Sequence, residues 1–245
     1  MKRIIVSLLV ALVIFAPAAF AQTPTTAQGF LDRGNRYLDD RDYNSAIDDF
    51  NQAIRLAPND PVGYFSRGNA YRIWDYNDRA IADYTQAIKL NPNYAEAYNN
   101  RGAAYAGNGE YDRAIADCTQ AIRLNPNYAD AYYYRGIVYA DNGEYDRAIA
   151  DYTQAIRLNP NYADAYFLRG AKYADNGEYD RAIADYTQAI RLDPNDAAAY
   201  YFRGIMYYNM GDNGKAIADF EAAVRINPNY AGIKNFQDDY ARAKN

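Results

Sequence analysis

Six arginines, Arg33, Arg67, Arg101, Arg135, Arg169 and Arg203, stand 34 residues apart, and each is followed 16 residues later by an aspartate. Those aspartates are Asp49, Asp83, Asp117, Asp151, Asp185 and Asp219. A guanidinium facing a carboxylate forms a bidentate ion pair, whereas one without a partner holds an anion. Recurrence in every unit favours the first outcome, because packing is needed everywhere and a binding site only once. The spacing predicts Arg–Asp pairs near the core, within one unit or between adjoining units. Paired acids also hydrolyse glycosides, but only at a defined separation across a substrate. Acids repeated identically along a chain describe structural periodicity instead. The 28 tyrosines offer stacking platforms for bases or sugars. Their helical spacing assigns most of them to packing seams.

The remaining inventory of reactive groups is short. The sequence holds no histidine, which excludes imidazole metal sites and His-dependent triads. Cys118 is the only cysteine, so no intrachain disulfide forms. It fills the slot taken by Phe50, Tyr84, Tyr152, Tyr186 and Phe220 in the other units and reads as a buried, inert thiol. Asp141 and Asp175 lack the compact spacing of a calcium loop. No enzyme activity, cofactor or metal is expected.

The elements that position these residues follow from the same period. Glycine recurs at Gly34, Gly68, Gly102, Gly136, Gly170 and Gly204, alanine from Ala46 and from Ala53, and proline from Pro58, always at 34-residue intervals. Such a period identifies stacked helical hairpins, each too small to bury its apolar face alone. In residues 129–162, Tyr132, Gly136 and Tyr139 share one face of a first helix predicted over 130–141. Asn142 and Gly143 stop it, since both tolerate a left-handed backbone. A second helix begins near Asp146, carries Ala148, Ile149, Tyr152, Ala155, Ile156 and Leu158 as its apolar stripe, and ends before Pro160. Gly136 and Ala148 allow close approach, and Tyr132, Tyr139, Tyr145 and Tyr152 are expected to fill the remaining space.

The N-terminus has a different character. Lys2 and Arg3 precede an apolar run from Ile4 to Phe15, and Ala19-Phe20-Ala21 supplies small residues at a cleavage position. This reads as a signal peptide, 1–21, followed by a flexible leader, 22–26; a retained anchor is the alternative. Removal of Lys2 and Arg3 shifts the net charge from −5 to −7. An acidic surface repels nucleic acid and anionic lipid. The expected location is periplasmic or secreted, without stable membrane insertion after cleavage.

These residues resemble the tetratricopeptide repeat family. In the fourth unit its large first-helix residue falls on Tyr132, its glycine on Gly136 and its tyrosine on Tyr139. Its small–aromatic–small pattern falls on Ala148, Tyr152 and Ala155, followed by Pro160. The match covers six units, 27–60, 61–94, 95–128, 129–162, 163–196 and 197–230. Arginine replaces the leucine usual before the glycine, and the turns of the outer units depart from Asn-Gly, so those units are expected to pack less regularly. Residues 231–245 leave the family register; Ile233, Phe236 and Tyr240 suit a capping helix over about 231–242.

The resemblance implies an all-α, right-handed superhelix whose first helices line a concave wall. That wall holds an extended peptide or a partner's helix in other members. The corresponding candidates here are Asn35, Phe65, Asn69, Arg72, Asn99, Tyr133, Ile137, Phe167, Tyr201, Ile205 and Tyr208. Leu31 and Phe65 stand where members that grip a free C-terminus need a basic residue, so that mode is not expected. The reading is a noncatalytic protein- or peptide-binding scaffold in envelope assembly or secretion. Its alternatives are a structural spacer or, further off, a sugar-active enzyme.

Overall fold

Each unit folds as a pair of helices joined by a short turn. The computed structural model describes residues 24–244; the expected signal peptide lies outside the described residues. The first helices are α1 (Ala27–Asp39), α3 (Pro61–Ile73), α5 (Ala95–Gly107), α7 (Ala129–Asp141), α9 (Ala163–Asp175) and α11 (Ala197–Asn209). The second helices are α2 (Tyr43–Leu56), α4 (Asn77–Leu90), α6 (Tyr111–Leu124), α8 (Tyr145–Leu158), α10 (Tyr179–Leu192) and α12 (Asn213–Ile226). A 3-10 turn (Pro228–Gly232) and a final helix, α13 (Lys234–Lys244), complete the described chain. Each second helix packs on its own first helix and on that of the next unit.

The close approach of the paired helices rests on glycine. A methyl group added at Gly136 would sit 2.7 Å from the Tyr152 ring, and one at Gly34 would sit 2.6 Å from Phe50. Those rings are buried. In the third unit the thiol of Cys118 takes the ring's place against Gly102. Burial holds that thiol protonated, with its pKa pushed up to about 12.

Every predicted Arg–Asp pair forms, and it forms within its own hairpin. Arg135 donates from Nε to Asp151 Oδ2 at 2.7 Å and from Nη2 to Oδ1 at 2.8 Å. Its remaining Nη1 reaches back to Thr119 Oγ1 of the preceding hairpin at 3.0 Å. The same reach joins Arg101 to Thr85, Arg169 to Thr153 and Arg203 to Thr187, while Arg67 meets Asn51. Tyr132 and Tyr139 flank the Arg135 guanidinium at 5.7 and 5.8 Å. Their rings therefore sheathe a charge as well as occupying space. Tyr145 departs from expectation: it is 40% exposed, with Lys172 Nζ 4.6 Å from its ring centre.

The outer hairpins are as regular as the central ones, against expectation. All six first helices have 13 residues and all six second helices 14. Arg41 and Asp75 take φ of 61° and 63°, adopting the left-handed turn that Gly143 makes at 78°. Stacking thus imposes the turn on residues that disfavour it. Asp75→Gly is expected to stabilise the protein by about 0.5–1 kcal/mol by relieving that conformation. Urea unfolding checks this: the midpoint rises, while Gly143→Ala lowers it.

At the C-terminus the register persists further than the sequence motif. A 3-10 turn occupies 228–232 because Pro228 fixes the first backbone angle, so the capping helix starts at Lys234 and not near 231. Phe236 lies 34 residues after Phe202. Both rings do the same job: Phe202 meets Phe167 at 5.7 Å, and Phe236 meets Tyr201 at 5.6 Å. The final helix takes the place of a seventh first helix, though Gln237 and Asp238 replace the periodic arginine and glycine.

Candidate functional site

The inner wall of the array is made by the first helices. They touch one another directly, α1 with α3, α3 with α5, α5 with α7 and α9 with α11, in addition to their second-helix partners. The side on which alternate helices crowd together is the inside of the curve. Between α3, α5 and α7 this wall opens into a cavity of 290 Å³. Ala103, Ala106 and Gly107 form its floor; Arg72, Tyr134, Ile137 and Asp141 stand around it. Small side chains on α5 create the depression, because α3 and α7 carry larger residues on either side.

Polar groups continue from this cavity toward the N-terminal units. Asn69 Oδ1 accepts from Tyr84 Oη and from Asn100 Nδ2, each at 2.8 Å. Asn100 carries the chain to α5, where Asn99 Nδ2 donates to its Oδ1 at 3.3 Å. Two atoms are left over. Arg72 Nε and Asn99 Oδ1 are buried with no hydrogen-bond partner among the described residues. An unmade bond to a buried polar atom costs about 1–3 kcal/mol, so each is an opening for a ligand or water. Burial raises the Tyr84 phenol to about 12, and Arg72 opposes that rise. Tyr133 is likewise raised to about 12 by burial and by Asp164. Both phenols stay protonated at neutral pH and serve as hydrogen-bonding groups, not as bases.

The sequence candidates divide into two sets. Arg72 and Ile137 line the cavity, Asn69 anchors the polar chain beside it, and Asn35 is exposed on α1. The aromatic row faces the seams instead. Phe65 packs on Tyr94 at 4.8 Å, Tyr133 on Tyr162 at 4.7 Å, and Phe167 on Tyr186 at 5.5 Å. Asn99 occupies the same row and is 1% exposed. Tyr201 donates to Asp239 Oδ2 at 2.9 Å, and with Ile205 and Tyr208 it packs into the core that α13 closes. The C-terminal end of the wall is therefore covered by the chain's own last helix.

Tyr134 is absent from the sequence candidates, and Asp141 enters there only as an acid without calcium-loop spacing. A signal for Tyr134 exists. Its position in the repeat reads Asp32, Ser66, Asn100, Tyr134, Leu168 and Phe202 from unit to unit. In an array of near-identical hairpins, a position whose residue type changes from unit to unit is one where packing does not dictate a single side chain.

Among the described residues, no group of three His, Cys, Asp or Glu side chains is placed to hold a metal. No helix among them is long and apolar enough to cross a membrane. The wall offers shape, hydrogen bonds and charge, which is recognition chemistry.

Known proteins agree with this architecture. Tetratricopeptide repeat profiles match residues 95–128, 129–162, 197–230 and 151–184, and a TPR repeat profile matches 34–72, 77–109 and 170–211. No curated protein matches the chain. Among solved structures, MamA protein is 30% identical over 71% of this chain and 95% of that one, with a TM-score of 0.61. YrrB, a TPR protein with an unusual peptide-binding site, is 27% identical over 73% of this chain and 92% of that one, with a TM-score of 0.58. The APC/C hetero-tetramer Cut9–Hcn1 shares the fold at a TM-score of 0.77 and 22% identity; 91% of this chain is covered but only 44% of that one. With profiles tiling the helical units and the hairpin geometry in place from α1 to α12, the chain belongs to the tetratricopeptide repeat family.

Proposed function

We propose that the protein is a noncatalytic scaffold that holds an extended segment of a partner protein along its inner wall, outside the cytoplasm, in envelope assembly or secretion. The observation that carries this is the cavity between α3, α5 and α7, where Arg72 Nε is buried without a partner above an alanine floor. A well-packed wall without a ligand role would fill such a depression and pair the guanidinium. The peptide-binding site of YrrB supports the same class of role. The leader-like residues 1–21 support export, and a mass of the mature protein consistent with cleavage after Ala21 is the expected result.

Ala106→Phe with Ile137→Asp tests the groove without touching the seams. Wild-type and variant proteins, matched for helicity by circular dichroism, are used to capture partners from an envelope extract. Loss of the captured protein by tenfold or more is expected for the variant. Equal capture by both overturns the groove as the binding surface, and capture by neither favours a spacer.

A further inference from the structure

Three neighbouring first helices give up a feature that the others keep. Thr26, Asp60 and Asp196 cap α1, α3 and α11 with side-chain hydrogen bonds. At the same position α5, α7 and α9 carry Tyr94, Tyr128 and Tyr162, with no side-chain cap. Loss of a cap costs about 1 kcal/mol per helix. An acid two residues later, Glu96, Asp130 or Asp164, offsets part of that through the helix dipole. The dipole explains an acid there but not the tyrosine, and none of these three carboxylates makes an ion pair among the described residues.

The tyrosines build aromatic faces next to these acids. Tyr133 stacks on Tyr162 at 4.7 Å and meets Tyr134 edge-on at 5.4 Å. Tyr134 in turn borders the cavity. Asn99, 1% exposed, has its Oδ1 without a donor, and its neighbour is Tyr128. Carboxylates without an ion pair, of which Asp130 meets only the neutral Tyr162 hydroxyl, together with aromatic faces and an unfilled acceptor, are groups that a cationic donor satisfies. We infer that this stretch of the groove selects a basic segment, with lysine or arginine side chains lying across the tyrosines toward Glu96, Asp130 and Asp164. α5 and α7 touch directly; packed helices stand about 8–10 Å apart and an extended chain rises about 3.3 Å per residue, so basic residues about every third position match Glu96 and Asp130, with Asp164 one unit further along. Burial and the nearby Asp130 keep the Tyr162 phenol protonated and neutral beside such a cation.

This inference rests on the groove reading proposed above, and one experiment separates the two. A displayed library of random dodecapeptides is selected on the wild-type protein. Binders are then measured by fluorescence anisotropy against Ala106→Phe and against Glu96→Gln/Asp130→Asn/Asp164→Asn, each checked for helicity. Selected peptides are expected to carry Lys or Arg at three-residue spacing. They should weaken about tenfold or more on the triple variant and weaken with added salt. Binders that Ala106→Phe abolishes, but that lack basic residues or ignore the triple variant, overturn the charge inference and leave the groove. Binders indifferent to Ala106→Phe, or no binders, overturn both. Asp130→Asn alone serves if the triple variant loses helicity, with a fall of about threefold expected.

Discussion

Asp151→Ala is expected to destabilise the protein by about 3–5 kcal/mol, the range for leaving one partner of a buried pair unmatched. The side chains of Arg135 and Asp151 are 17% and 9% exposed, and two bonds of 2.7 and 2.8 Å join them. Without the carboxylate, the guanidinium retains Thr119 and two tyrosine faces but no counter-charge. Residual water access places the loss near the lower end of that range. Replacing both partners by apolar side chains, Arg135→Met with Asp151→Leu, should cost far less, because apolar packing often matches a buried pair in stability. The exposed pair Arg147–Glu144, at 65% and 31%, provides the control, with an expected effect of about 0–1 kcal/mol. Urea unfolding measures all three. Hydrogen exchange adds where the loss falls, since a repeat array opens hairpin by hairpin. Equal effects at the buried and exposed pairs would remove the Arg–Asp ladder from the account of stability.

Gly136→Val is the second large effect, expected at about 3 kcal/mol or more from overpacking and from the β-branched side chain in a helix. Even a single added carbon meets Tyr152 Cε1 at 2.7 Å and Cδ1 at 2.9 Å. That ring is 1% exposed and has no free space to move into. Gly136→Ala sets helix propensity, worth about 1 kcal/mol in favour of alanine, against the same clash, so its net loss is smaller. At Gly170 the corresponding contacts are 3.2 and 3.3 Å, and alanine there should be close to neutral. Shortening the ring with Tyr152→Leu should recover part of the Gly136→Val loss, which a double-mutant cycle reads as a coupling between the two sites. Absence of coupling would mean that the glycine serves something other than helix approach.

The fold was legible because packing repeats. Gly136, Ala148 and Tyr152 announce the hairpin six times over, and Arg135 with Asp151 announces the ladder, leaving open only which hairpin supplied the acid. The site was less legible for the same reason. Tyr133 and Phe167 look like groove anchors by position, yet each ring also reaches its own second helix and the adjoining unit, and that competition is settled only by the helix separation. Tyr134 gave no periodic signal, and its value lies in that. The C-terminal segment lost its motif at Asp238, where glycine would stand, while the single ring of Phe236 kept its place. Phe236, with Tyr240 and Ala243 beside it in the same core, holds register on a template already formed.

The backward reach of the five arginines from Arg67 to Arg203 has a consequence for how the array is built. Arg101 depends on Asp117 of its own hairpin and on Thr85 of the one before, and on nothing yet to arrive. A chain emerging from its N-terminus thus completes each charge network as the hairpin closes, without waiting for the hairpin after it. The last rung is finished differently: Glu221 stands where the threonine would be and accepts the Tyr240 hydroxyl at 2.9 Å, so the terminal helix seals the slot that a seventh arginine would have claimed. One backward hydrogen bond per hairpin, from the second onward, gives the array a direction.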